Sequence, residues 1–129
     1  MERIRIVKVP YGYSKYQLTL LRGTERIGAL VYGNPGSYME VCYLSINPQY
    51  RRMGYATQLM ERFFCEIKTY IGEIKLVAAA NFDFYWYRNN TIIKQSDLEV
   101  FYEKFGFTVE KREHKCCMMS LYHKSSLLK

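Results

Sequence analysis

Apolar and polar residues alternate along the first part of the chain. Arg3 to Val9 interleaves charge with Ile4, Ile6, Val7 and Val9 and stops at Pro10, which cannot donate to a ladder; this predicts a half-exposed strand, then a turn over Pro10 to Ser14. Tyr16 to Arg22, closed by Gly23, and Arg26 to Tyr32, closed by Gly33-Asn34-Pro35-Gly36, predict two more strands. Ser37 to Ile46 is rich in β-branched, aromatic and aliphatic residues and predicts a fourth, ending at Asn47-Pro48. The period then changes. From Gly54 to about Tyr70, Leu59, Met60, Phe63, Phe64 and Ile67 recur at helical spacing opposite Gln58, Glu61, Arg62 and Lys68, which predicts an amphipathic helix ended near Gly72. Ile74 to Ala80 reads as a strand. Ser96-Asp97 offers an N-cap to a second helix carrying Leu98, Phe101, Tyr102 and Phe105, closed by Gly106. Phe107 to Arg112 and Cys116 to Tyr122 predict the last strands, with His123 to Lys129 a frayed tail. The order β-β-β-β-α-β-α-β-β describes an α+β domain around one mixed sheet.

A chain of 129 residues, 49% hydrophobic, is long enough for one compact domain and short for two. No stretch approaches the roughly 20 apolar residues of a membrane-spanning helix, and the N-terminus lacks the apolar block of a signal peptide, so a cytoplasmic protein with no membrane partner is expected. The four cysteines, Cys42, Cys65, Cys116 and Cys117, form no CxxC pair and have no zinc spacing with His114 or His123. Reduced structural thiols and no metal are expected. The net charge of +7 asks for an anionic partner: nucleic acid, an acidic surface or a phosphorylated cofactor. The basic residues are spread along the chain, which argues against a dedicated nucleic-acid tail.

The loop Gln49-Tyr50-Arg51-Arg52-Met53-Gly54-Tyr55-Ala56 joins the fourth strand to the long helix. A glycine-containing strand-to-helix loop leaves backbone N–H groups unpaired at the positive end of the helix dipole, where they can surround a phosphate. Arg51-x-x-Gly54-x-Ala56, following Tyr43-Leu44-Ser45-Ile46-Asn47-Pro48, resembles the signature of the GNAT superfamily of N-acetyltransferases. Val100-Phe101-Tyr102-Glu103-Lys104-Phe105-Gly106-Phe107 is similar to a second segment of that family, and Met118 to Tyr122 to its final strand, so the resemblance runs over roughly residues 26 to 123. It implies a single-domain, mostly antiparallel mixed sheet of about seven strands, flanked by helices. Between the first two strands the family's helices are missing or reduced here, because Pro10 to Lys15 is too short to hold them.

By the resemblance, acetyl-CoA is the co-substrate. Its pyrophosphate falls to Arg51, Arg52, Met53, Gly54, Tyr55, Ala56 and Thr57, and its pantetheine arm and thioester to Leu44, Ser45 and Ile46 at a splay between the fourth and fifth strands, with the Leu44 N–H aimed at the thioester carbonyl. Gln95 stands where the family often has an asparagine that touches CoA. Transfer to an amine needs a base for the ammonium and an acid for the departing thiolate. Glu40 matches the register of the catalytic glutamate in the histone-lysine branch, and strand alternation places it on one face with Leu44; Tyr102 occupies the family's general-acid position. Other branches place an acid where this chain has Cys42. The implied reaction is direct attack in a ternary complex on a protein lysine, such as a histone tail, in which case the location is nuclear, or on a polyamine or other small amine. The aromatic segment Phe82, Phe84, Tyr85, Trp86 and Tyr87, with Asp83, is open to three readings: an acceptor cage, a core satellite or a homodimer contact. Two other functions remain open: a basic nucleic-acid-binding module and a catalytically silent acetyl-CoA-binding protein.

Overall fold

The computed structural model describes residues 3–80 and 94–124; the aromatic segment and the extreme C-terminus, with the expectations attached to them, lie outside the described residues. Seven strands, β1 (Ile4–Pro10), β2 (Lys15–Arg22), β3 (Glu25–Gly33), β4 (Met39–Ile46), β5 (Gly72–Ala78), β6 (Thr108–Glu113) and β7 (Cys116–His123), form one sheet in the order β1-β2-β3-β4-β5-β7-β6. All neighbours are antiparallel except β4 and β5. A 3₁₀ turn at Pro48–Tyr50 leads into α1 (Tyr55–Glu66), and α2 (Gln95–Glu103) precedes β6. β1 and β2 form a direct hairpin, with Tyr11 N donating to Lys15 O at 2.9 Å and Gly12 and Ser14 at φ 66° and 59°, so no helix intervenes.

Both helices pack on one face. Leu18, Leu30, Tyr32, Val41, Leu76 and Met119 point toward α1 residues Leu59, Met60 and Phe63, with Tyr32 edge-on to Phe63 at 5.2 Å. Phe64 of α1 also meets Phe105 and Phe107, just beyond α2, at 6.0 and 6.5 Å. That arrangement follows from right-handed crossovers on a sheet whose strand order advances in one direction. The opposite face carries no helix among the described residues.

Several boundaries differ from the sequence reading by one or more residues, and three of them have a visible cause. α1 stops at Glu66 with Ile67 as its C-cap, because Tyr70 leaves the helix register to accept a hydrogen bond from Met39 N at 3.1 Å and to donate to Glu73 O at 2.8 Å. α2 begins at Gln95 with Lys94 as its N-cap, not at Ser96-Asp97. The Gln95 side chain donates to Ala78 O and accepts from Ala80 N, both at 2.8 Å, and this tie to the end of β5 draws the helix start forward. Asp97 then sits in the first turn, favourable to the helix dipole. The chain also stays in β7 through His123, whose ring stacks on Phe64.

Candidate active site

The ladder between β4 and β5 holds only Met39↔Ile74, Glu40↔Lys75 and Val41↔Leu76. Beyond it both strands continue, β4 paired to β3 and β5 to β7, so a gap opens between them from Cys42 onward. Tyr70, bridging Met39 and Glu73, ties the closed end. Glu40 lies one residue before the fork.

A β-bulge sits at the same place. Val31 pairs with Tyr43 but Tyr32 with Val41, which leaves Cys42 as an extra residue on β4. Paired residues share a face, so Glu40 goes with Gly33 and Val31, while Leu44 goes with Leu30 on the helix face. The expectation that Glu40 and Leu44 share a face is therefore overturned: one inserted residue inverts the alternation. Glu40 lies on the helix-free face beside Cys42, whose Sγ is 3.7 Å from Glu40 Oε1. Burial first, then the Glu40 carboxylate, pushes the Cys42 thiol up, so it stays a thiol at neutral pH. That chemistry disfavours Cys42 as a nucleophile.

Tyr102 lies across the sheet, on the helix face. It is 5% exposed, with ring contacts to Phe101 at 5.2 Å and Phe107 at 6.0 Å, and burial alone pushes its phenol well up. Its hydroxyl has no hydrogen-bond partner among the described residues. A protonated phenol without a competing acceptor is available as a donor.

At the open end of the gap the chain passes from β4 into α1. Tyr50 N donates to Asn47 O, the Asn47 side chain accepts from Gln49 N, and Arg51 Nε donates to Ile46 O at 3.0 Å. Arg52 at φ 63° and Gly54 at φ 83° are both left-handed. Holding a non-glycine residue there costs about 1 kcal/mol or more, while Gly54 takes the conformation freely. The first intrahelical bond of α1 runs from Gln58 N to Gly54 O, and no side chain caps the helix. The N–H groups of Tyr55, Ala56 and Thr57 consequently have no acceptor among the described residues, and Arg52, Met53 and Gly54 form the exposed rim. Those are the donors and charges a pyrophosphate requires.

Glu25, which no sequence signal singled out, fixes this loop from the β2–β3 turn. Its carboxylate accepts from Tyr50 Oη at 2.6 Å and Gln49 Nε2 at 3.3 Å, and Tyr50 packs against Tyr55. Glu25→Ala should therefore weaken acetyl-CoA binding several-fold in a calorimetric titration, with turnover at saturation little changed; equal affinity for both proteins would remove Glu25 from the loop's support.

Residues 16–109 match the Acetyltransferase (GNAT) domain. The chain belongs to the GNAT family. The matched domain is an acetyltransferase domain. A GNAT family acetyltransferase from Elizabethkingia anophelis with acetyl-CoA bound shares the fold at TM-score 0.69 and 12% identity, covering 93% of this chain and 98% of that one. The ribosomal-protein-S18-alanine N-acetyltransferase of Escherichia coli gives 0.67 and 14%, with 90% and 74% covered. The PaiA N-acetyltransferase of Thermoplasma acidophilum, in complex with coenzyme A, gives 0.63 and 18%, with 85% and 62% covered, so this chain spans less than two thirds of that protein. No curated protein sequence matches the chain.

Two further residues of the GNAT domain, Glu99 and Gln95, are held by contacts within the protein. Glu99, an alternative to Glu40 as the base, lies on α2 at the helix face and pairs bidentately with Arg112 at 2.9 and 3.0 Å, also accepting from Gln95. Arg112 first, then Gln95, holds the Glu99 carboxyl down to about 2, too weak a base for an ammonium. Gln95 spends both Nε2 protons inside the protein, on Ala78 O and Glu99, which leaves a lone pair on Oε1 for any contact with CoA. Because the folded Glu99 titrates below its ordinary 4.5, its contribution to stability is complete above 4.5 and is lost as pH falls toward 2. Glu99→Gln should lower the melting temperature at neutral pH, and the difference from wild type should close across that window. No helix among the described residues is long and apolar enough to cross a membrane, and no group of three or more His, Cys, Asp or Glu among them is arranged to hold a metal.

Proposed function

We propose that this protein transfers the acetyl group of acetyl-CoA to a primary amine by direct attack in a ternary complex, with Glu40 as general base and Tyr102 as general acid. One observation carries the reading: the two groups lie on opposite faces of the sheet, and the β4–β5 fork opens beside Glu40. A thioester threaded into that gap presents its carbonyl to an amine arriving from the helix-free face and its sulfur to the helix face. Arg51, Arg52 and the N–H groups from Met53 to Thr57 hold the pyrophosphate, while the backbone of Leu44, Ser45 and Ile46 borders the arm and thioester. The Leu44 N–H, fixed in its strand, stabilises the oxyanion. Gln95 adds a contact through Oε1.

Glu40 takes a proton from the acceptor ammonium. The freed amine forms the C–N bond as the C–S bond breaks, and Tyr102 protonates the thiolate. With the helices between β1 and β2 missing, the acceptor side is open enough for a small amine, a polyamine or a lysine side chain on a cytoplasmic or nuclear protein. The test is thiol release from acetyl-CoA over spermidine, small amines, amino acids and histone-tail peptides, with product mass read in parallel. One added acetyl group on any class supports transfer. Thermal stabilisation by acetyl-CoA with no product on any amine would leave a cofactor-binding protein and overturn the catalytic assignment.

A further inference from the structure

The residues around Glu40 on the helix-free face carry information about the acceptor. Reading across the ladder, Lys15 of β2 pairs with Gly33 of β3, and Gly33 with Glu40 of β4. Two strand spacings place the Lys15 and Glu40 backbones about 10 Å apart. The side chains close that distance. A Cβ built on Gly33 would lie 2.8 Å from Lys15 Cγ, so the lysine stem lies over the glycine, and any larger residue there would push it away. Lys15 interacts with the Cys42 thiol, whose sulfur is itself 3.7 Å from Glu40 Oε1. The bulge that brings Cys42 onto this face thus gathers an ammonium and a carboxylate around one thiol.

Lys15 is in no direct ion pair among the described residues, whereas Lys8, Lys75 and Lys111 pair with Glu66, Glu110 and Glu113. Lys75, beside Glu40 on the other side, is held by Glu110 and lies over the Tyr38 ring. Polycations, which include polyamines and basic protein tails, would bring further positive charge against Lys15 on a protein already at +7. A molecule that carries an ammonium and an anion a few bonds apart would instead match both ends: ammonium to Glu40, anion to Lys15. Next to Lys15, a cleft of about 220 Å³ is lined by Tyr13, Ser14, Lys15, Asn34 and Pro35, from the β1–β2 and β3–β4 connections.

We propose that Lys15 is a specificity residue and that the acceptor is a small amine bearing an anionic group, a carboxylate or a phosphate, whose anion binds Lys15 while its ammonium faces Glu40. The assignment rests on the transferase reading above. A charge-assisted contact of this kind favours the matching acceptor by about 10-fold or more.

The experiment compares kcat/KM within matched pairs that differ only in the anion: an amino acid against its amide, and a phosphorylated amino alcohol against the free one, with spermidine and a lysine peptide alongside. The wild type should prefer the anionic member of at least one pair, and the pair that shows the preference separates carboxylate from phosphate. Lys15→Met keeps the stem and removes the charge, so the ratio within that pair should collapse toward one; Lys15→Arg should restore much of it. Stabilisation by acetyl-CoA certifies that each variant is folded. Preference for spermidine, the peptide or the neutral members, or a ratio that survives Lys15→Met, overturns the assignment of Lys15 alone. Absence of transfer to every amine overturns the transferase reading beneath it.

Discussion

Glu40→Gln is expected to lower turnover about 10²- to 10⁴-fold with little change in acetyl-CoA affinity. The amide keeps the size of the side chain and its place beside Cys42 but cannot take a proton from the acceptor ammonium. The groups proposed to bind the cofactor are elsewhere: the uncapped start of α1, Arg51 and Arg52, and the β4 backbone beyond the bulge. Loss of rate without loss of binding is therefore the signature of a base. Equal loss of both would mean that Glu40 shapes the fork without moving a proton. A near wild-type rate would move proton removal to water, since Glu99 is already ionised and committed to Arg112.

The reach of the sequence can be judged at the same residue. Glu40 is singled out by the family resemblance, through its register before Arg51-x-x-Gly54, a local relation within one chain segment. Its face was not found, because the bulge at Cys42 exists only relative to β3, and nothing in Met39 to Ile46 announces that β4 carries one residue more than its partner. The seven strands and two helices were legible for the opposite reason. Alternation in β2, the Gly33-Asn34-Pro35-Gly36 turn and the helical spacing of Leu59, Met60 and Phe63 are encoded within short windows and agree with the packing. Helix ends were less legible wherever a distant partner intervened, as Gln95 shows at α2 and Tyr70 after α1. The same holds for Glu25 and Lys15. Each acts across a strand pairing or a turn on residues some 25 positions away, and neither carries a local pattern that separates it from the other charges on the chain.

Tyr102→Phe separates catalysis from packing more sharply than any other substitution. The ring fills the core between Phe101 and Phe107, and phenylalanine would keep those contacts. The hydroxyl makes no hydrogen bond among the described residues, so removing it should leave the melting temperature little changed. Turnover should nevertheless fall, by about 10²-fold or more, because the thiolate then departs without its proton donor. A donor thioester with a more acidic thiol needs that proton less, so the deficit of Tyr102→Phe should shrink as the leaving group improves. A purely structural tyrosine predicts the reverse on each count: a lower melting temperature, a small change in rate, and no dependence on the thiol. A hydroxyl that makes no hydrogen bond adds little to the packing of the ring, and proton donation to the departing thiolate is the use that the proposed reaction has for it.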